Sequence, residues 1–367
     1  MPTLCAPFAP PHCPRSACPS HRSGEPWRWT RHGSFVRDAA PHRIPRFRCA
    51  HCKHTFSAQS FSTTYWLKRP DVLVPIAHRL LACSGYRQIA REARCDPTTV
   101  MRHAARIGRH ALLWLHDNRP AGPIEEPVVI DGYERFAYSQ YHPCHLNLVV
   151  GSTSHFTYAF THTALRRKGR MTVQQKRRRQ RLEAEDGRPD PRGIEWGIHA
   201  ALKLAAPEPQ ALLVQSDEHA DYPRALARLR REGYEIVHRT TSSLAARTPA
   251  NPQFPVNLMD LLLTQNLACF KRETIAFAKL QLAVVLRSAW LIVWRNYTKP
   301  FSERHGGGTP AMRVGIRSHP VSVGEILKRR LFPWRVELPE PWAAYYRGEV
   351  RTPRIPNHRH HRLKLAV

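Results

Sequence analysis

Hydrophobic positions along the chain change their period several times, and each change marks a different kind of element. From Val72 to Leu81 apolar residues recur at helical spacing, and Ser84-Gly85-Tyr86 restarts the chain. Arg87–Ala93 then predicts a short helix with Ile89, Ala90 and Ala93 inward. Cys95-Asp96-Pro97 is a turn whose aspartate suits a helix cap and whose proline suits the first helical position. The helix that follows, Thr98–His110, presents Thr98, Thr99, Arg102, His103 and Arg106 outward. Residues 70–116 therefore read as a helix-turn-helix, whose second helix would read base edges in a major groove. An ordinary three-helix bundle shares the pattern, and Cys83 and Cys95 read as small core residues.

After a Pro- and Gly-containing linker at Asn118–Glu126, the period shortens. Val128-Val-Ile predicts a buried strand that runs into Asp131-Gly132, with Pro127 at its entrance. His145–Gly151 and His155–Thr161 follow as strands, giving an antiparallel meander. Helices at Ile194–Leu204 and Pro223–Glu232 then alternate with strands at Ala211–Gln215 and Tyr234–Arg239. A long helix is expected over Asn257–Phe277, with Asn266 and Glu273 on one face. Leu280–Trp294 is the longest apolar run; Arg287 breaks it and it is too short to span a bilayer, so it reads as a buried helix. The fold class is α/β, a mixed sheet flanked by helices and preceded by smaller modules.

Charge narrows the partners. The 367 residues carry 57 Lys and Arg against 28 Asp and Glu, a formal net charge of +29. Such a surplus points to a polyanion, most simply double-stranded DNA, with an anionic membrane surface as the competitor. Met1–Pro14 has neither the basic start nor the apolar core of a signal peptide, so a cytoplasmic, nucleoid-associated location without membrane insertion is expected. Residues 166–181 hold nine Lys and Arg and no acid, and Arg177, Arg178 and Arg179 are expected to touch phosphates. From Pro333 the chain is rich in Pro, Arg and His and reads as a basic tail.

Five of nine cysteines fall before residue 53. Cys13-x4-Cys18 and Cys49-x2-Cys52 are two knuckles that suit a closed tetrahedral structural zinc site. Cys5, His12, His21, His51 and His54 are substitutes for any one ligand. The gap between the knuckles is long, so the Pro19–His42 loop must fold back or hang free.

Two strands end in aspartates, Asp131 and Asp217. On one sheet such a pair can hold hard divalent cations, as in metal-dependent phosphoryl transfer; two surface aspartates starting loops would look the same. Glu273 is the candidate third carboxylate and Glu303, in a loop before three glycines, its competitor.

The order of these pieces resembles insertion-sequence transposases of the DDE class. It includes the cysteine ribbon Arg46-Phe-Arg-Cys-x-x-Cys52 with Thr55-Phe-Ser, Val129-Ile-Asp131-Gly, Ser216-Asp217, Arg272-Glu273-Thr-Ile-Ala-Phe, and Trp294-Arg-Asn-Tyr-Thr-Lys-Pro-Phe followed by Thr309-Pro-Ala-Met. The resemblance covers roughly residues 10–316. It departs from the family in the long ribbon gap and the basic insertion. It implies a zinc ribbon over 1–60, a helix-turn-helix over 61–118, an RNase H-like catalytic domain over 124–318 and a basic Pro-rich tail over 319–367. It also implies Mg2+ or Mn2+ held by Asp131, Asp217 and Glu273, strand cleavage at element ends, strand transfer by the freed 3′-hydroxyl, and a homo-oligomer on paired ends. A zinc-dependent DNA-binding regulator with an inert core, or a structure-specific nuclease without strand transfer, would share these motifs.

Overall fold

The computed structural model describes residues 8–22, 27–271 and 274–351. The chain begins with a short helix, α1 (Pro19–Arg22), and a three-stranded antiparallel sheet, β1 (Trp29–Val36), β2 (Arg43–Cys49) and β3 (Thr55–Ser57). The long gap between the knuckles thus folds back, as β1. Trp29–Val36 is exposed along nearly its whole length, so no inward-facing apolar alternation announces it. Its pairing with β2, from Trp29 opposite Cys49 to Val36 opposite Arg43, holds it in place. Phe47, Phe56, Phe61 and Phe332 pack around the cysteines as a small separate core.

Helices α2 (Leu73–Leu80), α3 (Tyr86–Glu92) and α4 (Pro97–Asp117) follow. Asp96 caps α4 as expected, its carboxylate accepting from the Thr98 N–H at 2.7 Å. The helix runs seven residues beyond the predicted His110 because its apolar face continues through Ala111, Leu112 and Leu115 against a later helix. Gly108 makes that contact close: a Cβ there would lie 2.4 Å from the Leu286 Cβ.

The main sheet has the order β6-β5-β4-β7-β8. β4 (Val128–Phe136), β5 (Pro143–Gly151) and β6 (Thr157–Ala164) form the antiparallel meander. β7 (Ala211–Ser216) lies parallel to β4, and β8 (Glu235–Thr240) parallel to β7. Between them run α5 (Val173–Asp186), α6 (Gly193–Ala205) and α7 (Asp221–Arg231), and after β8 come α8 (Phe254–Asn266) and α9 (Gln281–Tyr297).

Alternation divides the core into two layers. Val128, Ile130, Val149, Leu212 and Val214 face α6 and α7. Val129, Leu148, Val150 and Phe160 face the other way, into one apolar cluster with α2, α3, α4, α8 and α9. α9 holds the two halves together. Its buried Asn296 exchanges two hydrogen bonds with the Thr157 backbone (3.0 and 2.9 Å), and its Trp290 indole donates to the Ala77 carbonyl of α2 at 3.0 Å.

Two expectations need correction here. The long helix over Asn257–Phe277 ends at Asn266, and Ala268–Phe270 forms one 3-10 turn. Cys83 N–H donates to the Asn266 carbonyl at 2.8 Å, and buried Phe270 anchors the turn; together they close the helix earlier than its periodicity suggests. The described part of the basic tail is also not free. Phe332 enters the ribbon core, His110 Nε2 donates to the Ile326 carbonyl at 2.8 Å, and Trp342 donates to the Phe160 carbonyl at 2.8 Å. Residues 319–351 thus strap the ribbon, α4 and β6 together; Asn357–Arg362, also read as tail, lie outside the described residues. No helix among the described residues is long and apolar enough to cross a membrane.

Candidate functional site

β4 is where the main sheet changes from antiparallel to parallel pairing. Val129 is the last β4 residue paired with β7, opposite Gln215. Beyond it β4 continues with β5 alone and β7 with β8 alone, so the two strands part. Asp131 and Asp217 each lie two residues past that last pair, on either side of the opening. Ligand sites in α/β sheets gather at such a divergence. Glu126 fixes the start of β4: its carboxylate accepts from the Thr153 and Ser154 N–H groups at 2.8 and 2.9 Å and from the Tyr158 hydroxyl at 2.8 Å. Gly132 is required by the neighbouring strand, since a Cβ would lie 1.6 Å from the ring of buried His145.

Asp131 Oδ1 accepts from the Gly132 N–H at 2.7 Å and from the Tyr222 hydroxyl at 3.0 Å. Burial raises its pKa and the Asp217 charge raises it further, against the Gly132 and Tyr222 hydrogen bonds. Asp217 Oδ1 accepts from the His219 N–H at 2.9 Å, and the His219 ring lies against Tyr222 with centroids 5.1 Å apart.

A third carboxylate, near enough to feel the Asp131 charge, comes from α8, which packs on β4 and β5. It is Asp260, which the sequence reading did not single out. Burial and then the Asp131 charge hold its pKa well above the usual carboxylate range, against Arg247. Its Oδ1 is enclosed and has no hydrogen-bond partner. Tyr222 feels all three: burial first, then Asp131, Asp217 and Asp260, push its hydroxyl pKa up. The sequence did carry a signal, a lone acid inside the apolar helical run Pro255-Val-Asn-Leu-Met-Asp260-Leu-Leu-Leu. Glu273 lies outside the described residues. Glu303 is exposed and paired with Lys299, away from these carboxylates.

Carboxylate oxygens are the donor type that hard divalent cations take, and a cation would relieve the repulsion that Asp131 feels from Asp217; the donor atoms of all three carboxylates do not lie within 4.8 Å of one another.

The four knuckle cysteines converge as expected. The Sγ atoms of Cys13, Cys18, Cys49 and Cys52 all lie within 4.8 Å of one another, the only such group of three or more metal-donor residues among the described residues. Burial raises the Cys13 and Cys18 thiols, while at Cys52 the His54 N–H and the other sulfurs outweigh burial and lower it. A buried tetrahedron of sulfurs could bind zinc. His12 and His21 sit beside it without replacing a sulfur; His21 Nδ1 donates to the Cys13 carbonyl at 2.7 Å. Cys5 is outside the described residues.

The proposed DNA-contacting residues divide. Thr98 and Arg102 are exposed and Thr99 half-exposed at the start of α4. His103 and Arg106 are buried, contrary to expectation. Arg106 donates to the Thr63 and Tyr65 carbonyls at 2.8 and 3.0 Å, because the chain leaving the ribbon crosses that face of α4. On α5, Arg177 and Arg178 are exposed, Arg178 lying over the Tyr141 ring at 5.1 Å. Arg179 instead faces Glu183 at 3.4 Å and donates to the Arg167 carbonyl, so it is a structural cation.

No protein-family model matches the chain, and no curated protein matches it. Among solved structures it is similar to a chain of the simian T-cell lymphotropic virus intasome in complex with PP2A regulatory subunit B56 gamma. The identity is 13%, the TM-score 0.26, and the match covers 60% of this chain and 74% of that chain. At that TM-score the likeness adds nothing to the reading of the site.

Proposed function

We propose that this protein is a DDE-class DNA transposase with an RNase H-like catalytic core, acting on double-stranded DNA through divalent metal. The observation that carries the reading is the placing of Asp131 and Asp217 on either side of the point where β4 and β7 part, with Asp260 near enough for its charge to couple to Asp131, in a chain of net charge +29. The strand order, an antiparallel meander joined to two parallel strands, supports the RNase H-like assignment. Ribbon (1–60), helix-turn-helix (61–118) and catalytic core (124–318) are its proposed parts, with residues 319–351 binding them together.

Oxygen-only donors select Mg2+ or Mn2+. Such ions, when bound, lower the pKa of the attacking water or 3′-hydroxyl and stabilise the leaving oxygen. The residues supply position. Asp131, which is coupled electrostatically to both other carboxylates, would be the ligand shared by the bound ions. The Tyr222 hydroxyl fixes its orientation. Asp217 and Asp260 would complete the donor set, and α8 holds Asp260 by packing rather than by a loop. In this reading Asp260 takes the place that the resemblance gave Glu273; the helix expected to carry Glu273 ends at Asn266, and Glu273 itself lies outside the described residues. A homo-oligomer on paired ends belongs to the same proposal, as does zinc in the cysteine ribbon.

The test is a strand-transfer assay on a short DNA end with Mg2+ or Mn2+. Joined product in the wild type and none in Asp131→Asn is the expected result. Cleavage without joining would make the protein a nuclease, and neither product with intact DNA binding would favour a regulator with an inert core.

A further inference from the structure

On the outer side of the cysteine ribbon lies a cleft of about 990 Å3 that the proposed catalysis does not use. One wall is the ribbon, with Phe35 at 40% exposure, Arg46 and Phe56; the other is the chain leaving it, with Tyr65, Trp66 and Lys68. Trp66 is 64% exposed, and its ring lies nearly parallel to that of Tyr65, 25° between planes and 5.7 Å between centroids. Its backbone is left-handed, with φ 65°, a conformation that a bulky residue rarely adopts. Strain of this kind persists where surroundings impose it and is often functional.

The surroundings here are rigid. Arg37 donates to the Ala40 carbonyl at 2.6 Å and to the Gln59 side chain, and Gln59 donates to Thr64 Oγ1 at 2.9 Å. That chain of bonds ties the ribbon wall to the turn before Trp66. Arg330 also lies over the Tyr65 ring at 5.0 Å, while Trp66 is the exposed ring of the pair. Arg46 and Lys68 have no ion-pair partner among the described residues, and Asp38 is the one acid in the cleft.

Exposed aromatics between unpaired cations are how proteins hold unpaired nucleotides: bases stack on the rings while phosphates meet the cations. We infer that this cleft binds a single strand of DNA, with a base stacked on Trp66 and backbone phosphates on Arg46 and Lys68. The inference rests on the proposal that DNA is the chain's polymer, but assigns a surface separate from the duplex-reading α4 and from the carboxylates. The volume is at the upper end of the ~300–1,000 Å3 typical of ligand clefts, enough for more than one group.

The full chain tests this by fluorescence anisotropy with a labelled oligothymidylate and, separately, a labelled duplex at one salt concentration. Trp66→Ala should weaken oligothymidylate binding about tenfold or more while duplex affinity stays within about twofold, and Trp66→Phe should recover most of the loss. Trp66 is exposed, so both variants should fold. Unchanged oligothymidylate affinity in Trp66→Ala, or a wild type that binds duplex but no single strand, overturns the inference and leaves the proposed function standing. A wild type that binds neither overturns both. A proline-rich peptide bound through Trp66, with no oligothymidylate binding, would assign the cleft to protein recognition instead.

Discussion

Asp260 differs from the other two candidate ligands because its enclosed Oδ1 meets no hydrogen-bond donor. Asp131 has two hydrogen-bond donors and Asp217 one, whereas enclosed Asp260 Oδ1 has none and stays protonated more readily. An unmet acceptor of this kind costs ~1–3 kcal/mol, which a bound cation would relieve. Asp260→Asn should therefore abolish Mg2+-dependent cleavage and reduce the rise in melting temperature that Mg2+ gives the wild type. Glu303→Gln should change neither, since Glu303 pairs with Lys299 in solvent. Glu273→Gln is the informative control. Full cleavage by that variant beside a dead Asp260 variant supports the triad proposed here; the opposite result would return the third position to Glu273.

Among elements, α4 carries two different jobs on two faces. Arg102 points to solvent, and Arg106 is spent on carbonyls of the segment that crosses the helix. Arg102→Ala should relax sequence preference in a DNA-binding selection without changing the melting temperature. Arg106→Ala should lower the melting temperature instead, because at least two buried carbonyls lose their donor, at ~1–3 kcal/mol each. The same helix contributes an acid sensitivity. Burial holds His110 down to about 4 from 6.5, with its bond to the Ile326 carbonyl pulling the other way. The unfolded chain takes up that proton near pH 6.5 and the folded chain only near 4. The contribution is therefore whole above pH 6.5 and is lost as pH falls toward 4, roughly 3 kcal/mol at ~1.4 per unit. His110→Gln should flatten that part of a melting-temperature profile. In the ribbon, Cys49→Ser with Cys52→Ser leaves two thiolates, too few for a closed site. Elemental analysis should find zinc lost, and amide exchange should rise before residue 60 while the main sheet stays protected.

For the molecule as a whole, the positive charge is not spread over interchangeable residues. Arg177 and Arg178 are exposed on α5, whereas Arg179 is committed to Glu183. Replacing Arg177 and Arg178 with Ala should weaken binding to all duplexes alike and reduce the slope of log affinity against log salt by ~0.9 per lost phosphate contact. Arg179→Ala should leave that slope nearly unchanged and loosen α5. A salt titration in which Arg179→Ala has the larger effect would reverse these roles.

The sequence by itself determined the parts whose signal is local. Two cysteine pairs at knuckle spacing, a capped helix after Asp96 and five strands can each be read from a few adjacent residues, and the structure has them; Asp217 follows the end of its strand as expected, whereas β4 runs on past Asp131 to Phe136 because β5 stays paired with it. The tertiary structure alone decided what depends on which surface lies opposite. β1 is a strand because β2 pairs with it, although its side chains stay in water. His103 and Arg106 are interior because the chain from the ribbon passes over α4. Arg179 is structural because Glu183 is one turn away and Arg167 beside it. Residues 319–351 are ordered because Phe332 and Trp342 find cores built by distant segments. Asp260 reads in the sequence as an acid in a helix; only because α8 packs on the meander does the Asp131 charge reach it and raise its pKa. Local pattern reports what a residue prefers, and only the packed chain reports which neighbour, carbonyl or charge it meets.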